Sequence, residues 1–422
     1  MPCRAGDPGI LPPEAVCPMS PAQSPPVVGP TSPRLKTLDG LRSWVLLVML
    51  AHFANLSGNA SEYWGFGLFL SVVNVAFVGL DVFFVLSGFL ITGILLDTRG
   101  SASYFRTFYA RRAIRVFPLY YGFLVLYFFA LPSLAAWKTS ELDLSPTQHA
   151  TYWVYLQNFA AGLGPLWDAG AQATFLRAHT SHLWSLAVEE QFYLVWPAVV
   201  YFCGGSSLRR VCLFCALAAP FVRIFLVVTL GGVSEAAYLL TPARLDGLAI
   251  GSLMALAARE PAGLATWLAW AKPGVLGGAM ILVAVFVYRG QLDSADPVFQ
   301  IVGLTASAYI AAGLVAMAIA ARAGGTWQRL LSRGPLQAIG RCSYAIYVLH
   351  LPLAYVLDRS NLLSRGYFDQ WIDHRLLAEL AYSTAMILVS IGAGMLSWHL
   401  YEKQFLKLRR WLPYDARSTS RL

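Results

Sequence analysis

Apolar residues along this chain gather into long blocks, and the blocks predict its elements. They fall at about 38–57, 78–97, 118–136, 183–203, 208–230, 244–258, 273–288, 300–322, 341–358 and 378–402. Most approach the length that crosses a hydrocarbon core of about 30 Å at roughly 1.5 Å rise per residue. The expected fold is therefore all-α: a polytopic membrane helical bundle of about ten transmembrane helices. A weaker block, 148–162, is interrupted by Gln148, His149, Gln157 and Asn158. As a span it would make eleven; as an interfacial or re-entrant segment it leaves ten.

The basic residues decide between the two. With ten spans and the N-terminus inside, 23 of the 31 Lys and Arg lie on the inner side or at span starts. Seven lie outside (Lys138, Arg177, Arg244, Arg289, Arg359, Arg365 and Arg375), and Arg223 falls within a span. That asymmetry favours ten spans with both termini cytoplasmic, in the cell (inner or plasma) membrane.

Composition agrees. The chain is 57% hydrophobic and only 13% charged, far from a soluble average. Its net charge of +9 follows from topology, so no nucleic-acid partner is expected. Anionic phosphates, of lipid or of a nucleotide cofactor, fit the basic side better. The six cysteines (Cys3, Cys17, Cys203, Cys212, Cys215 and Cys342) suggest neither a disulfide framework nor a metal site. Residues 1–33 read as a disordered Pro-rich cytoplasmic tail, 34–410 as one membrane domain, and 411–422 as a second cytoplasmic tail.

Six stretches put polar groups where a membrane should exclude them. The first, 38–56, carries Arg42 and ends on His52. A single intramembrane His commonly bonds a neighbouring helix; several buried ionisable groups together mark a reacting site or a pathway. The second, 78–92, places Asp81 in an apolar helix ahead of Ser87-Gly88, as a partner for an Arg or as a member of a site. The third, 109–118, sets Arg112 and Arg115 three residues apart, on one helical face. It is a topology anchor, and as a fork it suits the phosphates of a cytoplasmic cofactor.

In the fourth, 181–197, His182, Ser185 and Glu189 stand at i, i+3 and i+7, one face that Tyr193 and Trp196 continue; Glu190 lies about 100° off it. An ordered polar face of this kind favours function over mere packing. The fifth, 244–248, offers Arg244 and Asp246 as a pair at a helix start. The sixth, 342–352, lines Tyr344, Tyr347 and His350 along one side, with Pro352 able to free a carbonyl. Helix–helix bonding is the simpler reading of the last two.

Taken in order, these stretches resemble the acyltransferase 3 family of integral membrane proteins: LDGLR…H, GLDVFFVLSGFLIT, RRxxRxxPLYY, LWSLxVEEQFYLxWP, RxDGLxxG and SYxIYxxHxP, from Leu38 to Pro352. The resemblance implies an O-acyltransferase moving an acyl group, usually acetyl from acetyl-CoA, to a hydroxyl of a sugar, glycolipid or small-molecule acceptor. The family's first-span Arg and His map to Arg42 and His52, and its paired arginines to Arg112 and Arg115. With the last span near the end of the sequence, the stand-alone type is expected, without an appended esterase-like domain.

One departure stands out. The family usually has ten residues between that Arg and His, and here there are nine, Ser43 to Ala51. Ten helical steps leave the two about 80° apart, so they share no ideal face unless a π-bulge or 3₁₀ turn intervenes.

The expected mechanism has His52 as general base, Glu189 orienting it or relaying the proton, and Arg42 or His350 stabilising charge. Arg112 and Arg115 bind the phosphates of acyl-CoA. Asp81, His182, Ser185, Arg244, Asp246 and Tyr347 support the site or touch substrate. No metal is expected, and an acyl-enzyme on His52 or Ser185 stays open. A proton-coupled transporter would use similar buried groups, but its paired repeats and broken helices are not seen in the sequence.

Overall fold

The computed structural model describes residues 33–55, 73–133, 144–166, 179–230, 235–261, 263–321 and 324–414. The predicted tail at 1–33, apart from Pro33, lies outside the described residues, as do residues 415–422 of the C-terminal one. Among the described residues there is no strand, and the chain is all-α. The longer helices are α1 (Pro33–Arg42), α2 (Val45–Asn55), α3 (Val78–Thr98), α4 (Tyr104–Val125), α5 (Pro146–Trp153) and α6 (Gln157–Leu163). After them come α7 (Trp184–Phe202), α8 (Gly205–Thr229), α9 (Leu245–Ala257), α10 (Gly263–Arg289), α11 (Leu304–Ile319), α12 (Gly334–Arg359) and α13 (Arg375–Ser397).

Among the described residues seven helical stretches are long and apolar enough to cross a membrane: Thr37–Ala54, Val78–Thr98, Tyr104–Ser133, Gly205–Thr229, Gly263–Arg289, Phe299–Ile319 and Arg375–Trp411. The chain is a multi-pass membrane protein. The other three predicted segments are helical as well, as α7, α9 and α12. The first carries Glu189 and Glu190, the second has 13 residues, and the third starts on a polar turn with Gln337 and Arg341.

The weak block at 148–162 does not form one helix. It splits into α5 and α6, of 8 and 7 residues, at Tyr155, whose φ of 56° is left-handed. Neither piece is longer than about 12 Å, too short to cross. Its open backbone is covered by protein. The Tyr120 hydroxyl donates to Tyr152 O at 2.8 Å, and Gln191 Nε2 donates to Tyr155 O at 2.6 Å. Buried Gln157 and Asn158 donate to Leu183 O and Leu239 O. Irregular backbone at membrane depth survives only when satisfied in this way.

Two close approaches set the frame. A Cβ on Gly88 of α3 would strike the Leu248 carbonyl of α9, and one on Gly251 would strike the Val85 carbonyl. The two helices therefore touch backbone to backbone, as small residues permit in lipid. A polar ladder crosses the seam: Trp196 Nε1 donates to Thr92 Oγ1 at 2.7 Å, and Thr92 donates to Ser252 Oγ at 2.8 Å. The second lies at Asp39-Gly40, inside α1. A Cβ on Gly340 would run into Asp39 O, so the end of α1 lies against the start of α12, and one on Gly40 would run into the carbonyl of Leu331, which ends the short helix Thr326–Leu331 before α12.

Between α1 and α2 the helix breaks. Ser43 N and Trp44 N bond back three residues, to Gly40 O and Leu41 O at 3.1 Å each, and Ser43 Oγ also donates to Gly40 O at 2.6 Å. This tightened turn ends one helix and begins the next, so Arg42 and His52 belong to separate elements.

Candidate active site

A cavity of about 840 Å³, its open mouth included, lies between α1, α3, α4, α7 and α12. One end is cationic. Arg42, Arg112 and Arg115 line it with Glu189, Glu190 and Tyr344, whose hydroxyl donates to Val116 O at 2.9 Å, and Ser185 and Tyr347 line it as well. Arg112 and Arg115 do share one face of α4, as their spacing predicts.

Each charged group at the cationic end is held differently. Arg42 Nη1 donates to Asp39 Oδ1 at 3.1 Å. Arg112 lies over the Tyr193 ring, 3.8 Å from its centroid, and 3.7 Å from Glu190 Oε1. At that separation there is no hydrogen bond, and Arg112 Nε and Glu190 Oε1 are both buried without a hydrogen-bond partner. Glu189 is fully engaged: Ser87 Oγ donates to Oε1 at 2.7 Å, and the Tyr193 hydroxyl lies 3.0 Å from Oε2. Buried donors and acceptors left open beside a cavity are ready to take a polar ligand.

The second group is three imidazoles from three elements. His52 of α2 and His350 of α12 stack with centroids 5.0 Å apart. His182, on the turn before α7, meets them edge-on at 6.4 and 4.7 Å. Bonding fixes the tautomers of the neutral rings. His350 Nδ1 lies 2.6 Å from Tyr347 O, a carbonyl that can only accept, so Nδ1 carries the hydrogen. His350 Nε2 is then an acceptor, and His52 Nδ1, 2.8 Å away, donates to it. The lone pair of His52 is left on Nε2. His182 Nε2 likewise donates to Val348 O at 3.2 Å, and its Nδ1 is buried without a hydrogen-bond partner. That carbonyl is the one Pro352 releases four residues on, since proline has no N–H to claim it.

Ser185 and Tyr347 meet the imidazole group through the main chain of His182. Both line the cavity. Their hydroxyl oxygens lie 2.6 Å apart, and the Tyr347 hydroxyl donates to His182 O at 2.7 Å.

Some predicted associations are not formed. Arg42 lies with the other arginines rather than with His52. Glu189 is held by Ser87 and Tyr193 among the cavity-wall arginines, while His52 Nδ1 is bonded to His350. Arg244 and Asp246 do not pair with each other. Arg244 Nη2 donates to Asp81 Oδ1 at 2.9 Å, and Asp246 Oδ2 accepts from Arg223 Nη1 at 2.8 Å. Both pairs are almost fully buried, in a structural position between α3, α8 and α9. Three site residues escaped the sequence reading. Glu190, about 100° off the polar face, faces Arg112; Ser87 and Tyr193 anchor Glu189. Their signal was local, since Ser87 belongs to a quoted stretch and Tyr193 continues the face of His182.

An acyltransferase domain is matched over residues 35–399, and the chain belongs to that family of membrane-embedded acyltransferases. Among its relatives is the O-acetyltransferase OatA of Staphylococcus aureus, 27% identical over 378 residues, which are 83% of this chain and 56% of OatA. The peptidoglycan O-acetyltransferase OatA of Listeria monocytogenes is 26% identical over 331 residues, 75% of this chain and 49% of its own. The putative peptidoglycan O-acetyltransferase YrhL of Bacillus subtilis is 26% identical over 335 residues, 75% of this chain and 48% of its own. The chain thus spans about half the length of the curated relatives it matches. No solved structure matches.

Proposed function

We propose that this chain is an O-acyltransferase that moves an acyl group, acetyl first of all, from acyl-CoA to a hydroxyl of an envelope glycan. Peptidoglycan is the acceptor to test first, because two of the relatives are named for it. The observation that carries the reading is proximity: the cavity lined by Arg112 and Arg115 has Ser185 and Tyr347 in its wall, and the Tyr347 hydroxyl donates to the main-chain carbonyl of His182, whose ring packs against His52 and His350.

With ten spans and both termini inside, the arginines face the cytosol. Arg112 and Arg115 hold the donor phosphates, with Arg42 beside them. The pantetheine arm runs along the cavity and brings the thioester to Ser185 and Tyr347. His52 Nε2 takes the proton of the acceptor hydroxyl. The hydroxyl oxygen bonds to the thioester carbonyl carbon, the C–S bond breaks, and the proton passes from His52 to the departing thiolate, so the base ends the cycle neutral. His350 is the residue that orients His52, through the Nδ1 bond, and His182 packs against both. Glu189 positions Ser87 and Tyr193 beneath Arg112. Asp81, Arg244 and Asp246 fix the helices behind the cavity.

The test is His52→Ala in purified protein whose melting temperature matches wild type, assayed for transfer from acetyl-CoA to a glycan oligomer. Loss of at least about 10²-fold in kcat is expected for removal of a general base. Turnover near wild type would take His52 out of the reaction.

A further inference from the structure

The chain continues beyond the matched domain, and what it does there bears on the donor site. After α13 a π-turn, Trp398–Glu402, leads into Lys403–Leu406 and a 3₁₀ turn, Lys407–Trp411. This stretch folds back onto α4. Arg111 Nη1 donates to Leu412 O at 2.7 Å, its guanidinium lies 4.3 Å from the centre of the Tyr414 ring, and Arg409 Nη2 donates to Arg111 O at 3.3 Å.

Arg409 therefore lies beside the cationic end of the cavity without being part of its wall. It is close enough to Arg111, Arg112 and Arg115 for their charges to act on one another. Its Nε is buried and has no hydrogen-bond partner. Among the described residues no carboxylate forms an ion pair with Arg111, Arg115 or Arg409; Glu402 acts on Arg115 from a distance, and guanidinium groups this close still repel unless an anion lies between them.

We infer that residues 403–414 are the outer wall of the donor site, and that Arg409 binds the 3′-phosphate of the acyl-CoA. This rests on the acyl-CoA reading above. A CoA thioester carries its phosphates in two places: the pyrophosphate next to the pantetheine arm and the 3′-phosphate on the adenosine, farthest from the thioester. Arg112 and Arg115 in the cavity wall match the first. Arg409, adjacent and outside the wall, matches the second and lets the enzyme select CoA over thioesters that lack that phosphate.

The test compares acetyl-CoA with acetyl-3′-dephospho-CoA for the wild type, Arg409→Ala and Arg409→Lys, in detergent and in vesicles with and without phosphatidylglycerol. Wild type should show a KM about tenfold or more lower for acetyl-CoA, the value of one charge-assisted contact. Arg409→Ala should abolish that preference by raising KM for acetyl-CoA alone, and Arg409→Lys should restore part of it. An unchanged preference in Arg409→Ala, at wild-type melting temperature, overturns the inference and leaves the acyl-CoA reading standing. A loss equal for both donors and tied to phosphatidylglycerol also overturns it, by assigning Arg409 to a lipid headgroup. Failure of wild type to saturate with acetyl-CoA would remove the donor reading itself and the inference with it.

Discussion

Replacing Asp81 by leucine strips the counterion from a guanidinium that has nowhere to go. Arg244 is 1% exposed and Asp81 3%, with Nη2 and Oδ1 2.9 Å apart. At a charge separation of about 4 Å and an effective dielectric near 20, the attraction is on the order of 4 kcal/mol. Breaking a buried pair from one side costs about 3–5 kcal/mol, because the surviving charge stays desolvated. The rings of Phe84, Trp184 and Tyr238, at 5.4, 5.7 and 5.3 Å from the guanidinium carbon, soften the loss. Asp81→Leu should therefore destabilise by about 3 kcal/mol, at the lower end of that range. Removing both charges is a different perturbation. Asp81→Leu with Arg244→Met leaves no uncompensated ion, and most of the loss should return, giving a coupling energy of at least about 2 kcal/mol. The assay is a double-mutant cycle on equilibrium unfolding in mixed micelles. A single mutant within about 1 kcal/mol of wild type, or a double mutant equal to the sum of the singles, would refute the view that this pair is an internal structural tie.

Three further outcomes follow. Gly88→Ala pushes a methyl into the Leu248 carbonyl and must part α3 from α9; a markedly lower melting temperature is expected, and a Gly88→Ala protein as stable as wild type would mean the seam is not in backbone contact. His350→Ala unlocks His52 without touching the arginines, so steady-state kinetics should show kcat down by about 10²-fold with KM for acetyl-CoA held. Glu235, outside the spans, is raised to about 7 by burial and secondarily by Asp293. The folded state then holds a proton that the unfolded chain releases, so stability falls as pH rises from about 4.5 to 7. Glu235→Gln should flatten the melting temperature over that window, and an unchanged slope would contradict the assignment.

Much of the bundle was legible because membrane helices announce themselves by length and apolarity, and the positions of Arg112, Arg115, Ser185, Tyr347 and His350 follow from one-face spacing. What stayed hidden depends on contacts between distant segments. The break at Ser43-Trp44 comes just after the contact of Asp39 with Gly340, about 300 residues away in sequence, and no local rule places it. Tyr155 divides the 148–162 block by adopting left-handed backbone that its neighbours cover with side-chain bonds, where composition alone left a choice between a span and a re-entrant piece. The Arg244–Asp246 pairing was misread for a related reason, while Asp81 does partner an Arg. Arg244 and Asp246 are neighbours in sequence, but each finds a better-oriented partner on another helix, Asp81 on α3 and Arg223 on α8.

The break also gives the nine-residue interval a physical sense. A general base has to be neutral to accept a proton, and a guanidinium held beside it would oppose the charge it gains. A phosphate-binding end has the opposite need, for fixed positive charge. On one unbroken face Arg42 and His52 would bring these demands into contact. With the turn at Ser43-Trp44, Arg42 joins Arg112 and Arg115 in the cavity wall, and His52, ten residues on, stacks on His350. Between them in the cavity wall is a pair of neutral hydroxyls, Ser185 and Tyr347, 2.6 Å apart, and the second donates to the main-chain carbonyl of His182. Hydroxyls can pass hydrogen bonds along a cavity while adding no charge to either end. In the proposed reaction this is the useful division: the donor is held by charge at one end, and the proton is handled by uncharged imidazole at the other.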